Sequence, residues 1–345
     1  MRFSDVLDIR NGRNQRQVEN KNGKYPIYGS GGTMGRADDF ICEAETVVIG
    51  RKGSINNPIF VDEPFWNVDT AFGLVANKDV LLPKYLYYFC VNFDFERLNT
   101  TVTIPSLTKA NLLQIEISIP DMGTQMHIVG VMDKICHLIE LRQQELHELD
   151  QLVKSRFIEL FGDPIDNTMG LKTMPLGEVC FLKAGITTAA DAIHEQSAVY
   201  PVPCYGGNGI RGYVKEATQH GCYPIIGRQG ALCGNVQMAT GEFHATEHAV
   251  LVTPLIETNV VWLFHLLRMM DLYRFHTGAA QPGLAVKTLN TVDIPIAEIA
   301  VQNNFAAFVE QTDKSKYYSS LSYHLCRQAA SYYRQEWMTC RTSNS

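Results

Sequence analysis

Pro26-Ile27-Tyr28-Gly29 returns as Pro203-Cys204-Tyr205-Gly206, and Ile49-Gly50-Arg51-Lys52-Gly53 returns as Ile226-Gly227-Arg228-Gln229-Gly230, both displaced by 177 positions. Across residues 26–53, nine of 28 positions are identical at that displacement, against roughly one in 17 expected from average composition, so the chain carries an internal repeat. The displacement persists downstream, where Pro105, Leu107, Leu112, Ile117, Ile119 and Gln125 match Pro282, Leu284, Leu289, Ile294, Ile296 and Gln302. At the start of each copy Phe3-Ser4-Asp5-Val6 faces Leu176-Gly177-Glu178-Val179 at a displacement of 173, which implies a four-residue insertion in the second copy and units of about 175 residues.

Within a unit the texture changes twice. Short apolar, β-branched runs such as Thr46-Val47-Val48-Ile49 and Pro58-Ile59-Phe60-Val61, bounded by Gly, Asn and Asp, predict a β-rich domain with irregular turns. A helical patch at Pro83–Phe89 interrupts it, answered in the second copy by Asn259–Leu267. From about Thr124 to Phe161 there is no proline, and Met132, Ile135, Ile139, Leu146, Leu149, Val153 and Leu160 recur at heptad positions, which predicts one long helix with a coiled-coil seam. Arg142 and Arg156 fall on the same seam, and Phe161-Gly162-Asp163-Pro164 ends the helix. The second copy starts its helix fairly, with Phe305, Phe308, Val309 and Leu321, but Tyr317-Tyr318-Ser319-Ser320 and the closing Thr339–Ser345 carry no leucine seam, so a weaker or frayed helix is expected there.

The fold class expected is α+β: two repeated β-rich domains separated by two long antiparallel coiled-coil helices with pseudo-two-fold symmetry. The boundaries expected are 1–122 for the first domain, 123–162 for the first helix, 163–299 for the second domain and 300–345 for the second helix. The first helix would be about 55 Å long at roughly 1.5 Å per residue, more than one 34 Å turn of B-DNA. Antiparallel pairing would then relate two reading domains by an approximate two-fold axis that matches the dyad of a duplex with two half-sites.

Composition excludes several classes. The 345 residues are 46% hydrophobic, enough for large cores in two domains. No N-terminal apolar stretch reads as a signal peptide, and no apolar run reaches the roughly 18 residues of a membrane span. Nine scattered cysteines without a C-x-x-C pair indicate neither a disulfide framework nor a zinc ribbon, and a reducing cytoplasm is the expected location. The catalytic motifs of DNA enzymes are missing. Asn57-Pro58-Ile59-Phe60 lacks the second proline of an adenine-methylating loop, and no segment fits G-x-x-x-x-G-K-[ST]. Glu19-Asn20-Lys21 has no upstream carboxylate partner for a nuclease metal, and His244 and His248 sit in a strand or loop where a four-residue spacing does not put both on one face. No catalytic residue, metal or cofactor is therefore expected.

Read in order and doubled, these segments resemble a known family over the whole chain: the specificity subunits of type I restriction-modification systems. The marks are Tyr25-Pro26-Ile27-Tyr28-Gly29, Ile49-Gly50-Arg51-Lys52-Gly53-Ser54, Ile104-Pro105-Ser106-Leu107-Thr108, and Ile117–Gln125 leading to a helix that ends Glu159-Leu160-Phe161-Gly162-Asp163-Pro164. The resemblance implies a non-catalytic subunit with two target-recognition domains, each reading one half of an asymmetric bipartite sequence in double-stranded DNA. It also implies helices that set the gap and dock methyltransferase subunits, two of them, through the seam residues named above, with restriction subunits joining the complex. A protein-only coiled-coil adaptor and a self-contained DNA methyltransferase are the alternatives. Gln229 in place of Lys52 and the tail without a leucine seam are departures from the pattern.

The expected DNA contacts are Arg51, Lys52 and Ser54 with Arg228 and Gln229, because flanking glycines let a tight turn bring guanidinium and backbone amides to phosphate or a guanine edge. The competing reading is a structural turn whose Arg pairs an internal carboxylate. Ser106, Thr108 and Lys109, and in the second copy Gln281 and Lys287, sit on small polar loops that either approach the DNA backbone or merely connect domain to helix. Tyr28 and Tyr205 read as core aromatics or exposed ones. The net charge of −6 opposes duplex binding, yet residues 1–36 hold seven basic side chains (Arg2, Arg10, Arg13, Arg16, Lys21, Lys24, Arg36) against three acidic ones, either a phosphate-favouring edge or a solvated face. The second domain has no such cluster, so the chain alone should bind DNA weakly.

Overall fold

The computed structural model describes residues 1–99, 104–278 and 282–339, with side chains up to 333. The chain divides into two compact units, Met1–Gln143 with Leu321–Ser345, and Gln144–Ser320, and the division falls inside both long helices.

Unit 1 opens with a single turn, α1 (Phe3–Val6), followed by β1 (Leu7–Asn11), β2 (Tyr25–Gly29), β3 (Gly32–Ala37), β4 (Thr46–Gly50), β5 (Ile59–Val61), β6 (Trp66–Asn67) and β7 (Ala71–Ala76). The helices α2 (Pro83–Asn92) and α3 (Lys109–Leu113) follow, then α4 (Met122–Phe161). Two sheets form, a four-stranded antiparallel one in the order β1-β7-β4-β5 and a three-stranded one in the order β3-β2-β6, with β2 and β6 parallel. Phe3, Ile9, Ile49, Phe72, Leu86 and Phe95 are buried between the larger sheet and α2.

Unit 2 repeats the series as β8 (Thr173–Pro175), α5 (Leu176–Val179), β9 (Cys180–Ala184), β10 (Val202–Gly206), β11 (Gly209–Val214), β12 (Gln219–Gly227), β13 (Val236–Ala245) and β14 (Ala249–Pro254). It continues through α6 (Val260–Met269), α7 (Val286–Asn290), β15 (Asp293–Pro295) and α8 (Ile299–Thr339). Its main sheet is continuous, β11-β10-β13-β12-β14-β9, because the ten-residue β13 replaces both β5 and β6. The cause is local. Unit 1 places Asp62-Glu63-Pro64 between β5 and β6, and proline cannot donate to a ladder, whereas β13 continues through Thr240 and Gly241 paired with β12.

The repeat identities have structural work in common. Buried Gln125 accepts from the Leu82 amide at 2.9 Å, before α2, and donates to Val80 and Pro120. Its counterpart Gln302, also buried, accepts from the Asn259 amide at 2.9 Å, before α6, and donates to Ala297. In both copies one glutamine satisfies backbone groups that a helix start leaves unpaired.

Both long helices form. α4 ends at Gly162, whose φ of +73° and amide bond to Ile158 at 2.8 Å are those of a left-handed C-cap. Of the seven predicted seam residues, Met132 and Val153 are buried and Ile135, Ile139, Leu146, Leu149 and Leu160 half-buried. In unit 2 the ring of Phe157 meets Phe305 edge-on at 5.4 Å while Asp150 pairs with Lys316 at 2.8 Å, so the second half of α4 and the first half of α8 run antiparallel. In unit 1 the Gln143 amide donates to the Tyr323 hydroxyl at 3.1 Å. Through Tyr317-Tyr318-Ser319-Ser320 α8 does not fray, and it continues as helix to Thr339; residues 340–345 of the expected weak tail lie outside the described residues. Its inward face is built of Phe305, Val309, Thr312, Ser319 and Ala330, small enough for close approach, and the Thr312 hydroxyl is spent on the Phe308 carbonyl. Seam residue Arg156 lies over the Phe308 ring and pairs with Glu159. No described helix is long and apolar enough to cross a membrane.

Candidate nucleic-acid interface

In unit 1 one short segment, Asn67–Ala71, gathers three others by four backbone hydrogen bonds. Val68 N–H donates to Tyr28 O at 2.9 Å, Arg13 N–H to Asn67 O at 3.0 Å, Gly12 N–H to Ala71 O at 3.2 Å and Arg51 N–H to Thr70 O at 2.8 Å. The Arg51 loop then holds the loop before α3, through Gly53 N–H to Pro105 O at 3.0 Å and Leu107 N–H to Arg51 O at 2.9 Å.

Unit 2 builds the same ring. Thr246 N–H donates to Tyr205 O at 2.9 Å, Ile186 N–H to Ala245 O at 2.9 Å and Arg228 N–H to His248 O at 3.0 Å. Gly230 N–H donates to Pro282 O at 2.9 Å and Leu284 N–H to Arg228 O at 2.8 Å. Three of the repeated glycines are required by this geometry. Gly53 and Gly230 sit at φ +81° and +82°, which side chains rarely adopt, and a Cβ on Gly227 would lie 2.1 Å from the Gly207 carbonyl oxygen.

The ring brings together Arg51, Lys52, Ser54 and Ser106 in unit 1, and Arg228 and Gln229 in unit 2. Arg51 is exposed, lies 5.7 Å over the Phe72 ring and makes no ion pair among the described residues. Arg228 is half-buried, and its shielded Nε has no hydrogen-bond partner among the described residues. Among the described residues neither arginine is paired with an internal carboxylate. Lys52 and Ser54 are exposed, and Lys52 bridges to half-buried Ser106 through the main chain, as Gln229 does to Gly283.

Thr108 and Lys109 are committed to the fold. The Thr108 hydroxyl accepts from the Asn111 amide and caps α3, while Lys109 Nζ donates to the Ile9 carbonyl at 2.7 Å and faces Asp8 at 3.9 Å. Lys287 is exposed in the last turn of α7. Gln281 lies outside the described residues. Tyr28 and Tyr205 are half-buried against Phe65 and Phe243, at 5.4 and 5.6 Å.

Of the seven basic residues in 1–36, four are engaged: Arg2 with Gln114, Arg10 with Asp8, Arg36 with the carbonyls of Gly23 and Lys24, and Lys24 over the Tyr25 ring. Arg13, Arg16 and Lys21 are exposed without side-chain partners among the described residues, and Arg13 is on the ring itself. Unit 2 carries a different chemistry there. Glu247 accepts from the Thr188 amide at 3.1 Å and pairs with His248 at 3.3 Å, and His244 contacts the Thr188 hydroxyl at 2.7 Å. Burial pushes the His244 pKa down, against the pull of Glu247. Among the described residues no group of three His, Cys, Asp or Glu side chains is placed to hold a metal ion.

Sequence reasoning missed the β2–β3 and β10–β11 hairpin tips, which join the ring in both units. Substitution inside the repeated frame was the available signal. Met34 and Arg211 stand at equal registers of hairpins whose glycines are otherwise shared.

Against known proteins, the model of the type I restriction modification DNA specificity domain matches residues 1–151 and 169–317. The EcoprrI type I restriction enzyme specificity subunit of Escherichia coli is 36% identical over 244 residues, which is 67% of this chain and 61% of that protein. A putative type I restriction enzyme specificity subunit of Haemophilus influenzae is 29% identical over 32% of this chain and 29% of its own length. The alignments thus span less than two thirds of either relative. In structure, the type I restriction-modification S subunit from M. genitalium superimposes with a TM-score of 0.70 at 17% identity, over 98% of this chain and 95% of that one, a likeness of fold.

Proposed function

The chain belongs to the type I restriction modification DNA specificity domain family, and from that premise we propose that it is the DNA-reading subunit of a type I restriction-modification complex. Each unit reads one half of a bipartite, asymmetric duplex target, and the long helices set the gap between the halves. The observation that carries this reading is the loop ring built twice with the same backbone bonds and filled with different side chains. One scaffold with two sets of readers is what two unlike half-sites require. Phosphate contacts from Arg13 and Arg51 position the first unit, and base edges specify the sequence.

Methylation and cleavage belong to partner subunits. The string closest to a methylating loop, Asn57-Pro58-Ile59-Phe60, runs into β5, where Ile59 and Phe60 pair with Val48 and Val47 of β4. Methyltransferase subunits dock on the long helices, at the half-buried seam residues and at the exposed apolar residues beside them. Unit 1 exposes Leu138 and Leu141 of α4 with Leu321 and Leu325 of α8, and unit 2 exposes Leu152 and Ile158 of α4 with Tyr317 and Tyr318 of α8. One apolar face per unit suits two methyltransferase subunits, with restriction subunits joining through them, in the cytoplasm where the DNA is.

The test is to co-express the chain with a methyltransferase partner and map modified adenines across a host genome. A two-part motif that depends on this chain is the expected result. Equal methylation without the chain, or saturable binding of S-adenosylmethionine by the purified chain alone, overturns the assignment.

A further inference from the structure

Between the β10–β11 tip and the Gly227–Gly230 loop of unit 2 lies an open cleft of about 580 Å³. Gly206, Gly207, Gly209 and Gly230 form part of its walls, where a ligand can approach the backbone closely, and the polar side chains that line it are Asn208, Arg211, Gln229 and His248. Arg211 and Gln229 are exposed, and neither side chain has a hydrogen bond or ion pair among the described residues. Asn208 accepts from the Asn235 amide at 2.7 Å, which fixes its carbonyl and leaves its own N–H groups to donate. His248 is held by Glu247 at 3.3 Å.

Guanidinium and carboxamide both pair bidentately with base edges in the major groove, Arg with guanine O6 and N7, Gln with adenine N6 and N7. The matching positions of unit 1 are Met34 and Lys52, a thioether and an ammonium, both exposed. The cleft therefore carries two side chains that pair with base edges where its repeat carries one, the Lys52 ammonium, which can donate to guanine, although the backbone around it is shared.

Resting on the DNA-reading function above, we propose that this cleft is the base-reading site of the second unit, with Arg211 taking a guanine edge and Gln229 an adjacent adenine edge. The acidic balance of the unit fits this reading: its cleft relies on base-edge contacts, while the exposed cations of unit 1 add phosphate attraction to that unit's own reading.

The experiment compares Arg211→Ala and Gln229→Ala with the parent chain, each assembled with its methyltransferase subunits, and reads the methylated motif in genomic DNA. Each variant should relax one position of one half-site, guanine for Arg211 and adenine for Gln229, lowering discrimination at that position roughly 5- to 150-fold, with the other half-site unchanged. Both side chains are exposed, so the variants should keep the parent thermal midpoint, which is measured alongside. An unchanged motif in both variants, or an equal loss at every sequence from a folded variant, overturns the assignment; the latter outcome makes Arg211 a phosphate contact. If the parent complex itself methylates no two-part motif, the failure lies with the function proposed for the whole chain and not with the cleft.

Discussion

Arginine 51 and lysine 109 are both basic residues near the same ring, yet the structure gives them opposite work. Arg51 is exposed over an aromatic ring with no acidic partner among the described residues, whereas Lys109 hydrogen-bonds the Ile9 carbonyl. Arg51→Ala is expected to weaken duplex binding by the assembled complex while leaving the thermal midpoint in place. Lys109→Ala is expected to lower stability by about 1 kcal/mol, the net worth of one hydrogen bond, with the motif unaltered. Binding curves and denaturant midpoints on both variants separate the two roles. Sequence alone named both as candidate DNA contacts, because what commits Lys109 to the fold is a partner some hundred positions away. A third residue carries a pH dependence. Burial, with help from Arg268 and Lys316 and against Asp150, lowers the pKa of His265 to about 4. The unfolded imidazole, near 6.5, binds a proton that the folded one refuses, so this contribution is complete above about pH 6.5 and is lost as pH falls toward 4. Its size is up to about 3 kcal/mol. Thermal midpoints of the parent should fall between pH 7 and 5, and His265→Phe should flatten that slope; an identical slope in both would remove His265 as the cause.

Among the elements, the glycine turns and the helix pair bear most of the argument. Gly227→Ala places a Cβ 2.1 Å from the Gly207 carbonyl oxygen, and main chain cannot yield as a flexible side chain can. A loss of roughly 1–3 kcal/mol is expected from such overpacking, with disturbance confined to the second half-site. Phe157 is fully buried against Phe161 and Phe305, so Phe157→Ala should cost about 3–5 kcal/mol, read from chemical denaturation. α4 was legible because its seam is apolar at a constant heptad spacing. α8 was only half legible, since a face of Thr312, Ser319 and Ala330 is invisible to a search for leucine even though small residues let two helices approach closely. The break between β5 and β6 was also hidden, because it takes one proline in one copy and none in the other to split a sheet. The glycine loops were visible as motifs, but the hairpin tips beside them were not, as only backbone hydrogen bonds between distant segments bring the two together.

At the level of the whole chain, a net charge of −6 sets the terms of DNA binding. A polypeptide with that balance gains little from counterion release, although Arg13, Arg16, Lys21 and Arg51 of unit 1 and Arg211 of unit 2 stand exposed without an ion pair among the described residues. The isolated chain should therefore bind duplex weakly at physiological salt, and the complex with methyltransferase subunits far more tightly; equal affinities would place the phosphate contacts on this chain alone. The organisation itself, two units of unlike chemistry on one repeated frame, was readable from the 177-residue displacement, and the division of reading between them is the claim on which the rest depends. It is tested most directly by exchanging residues 1–122 for the corresponding part of a relative with a different target and mapping methylation by the assembled complex. One half of the motif should change to that of the relative while the other half and the gap stay as they were. A chimera that folds and methylates but alters both halves, or neither, would contradict the account.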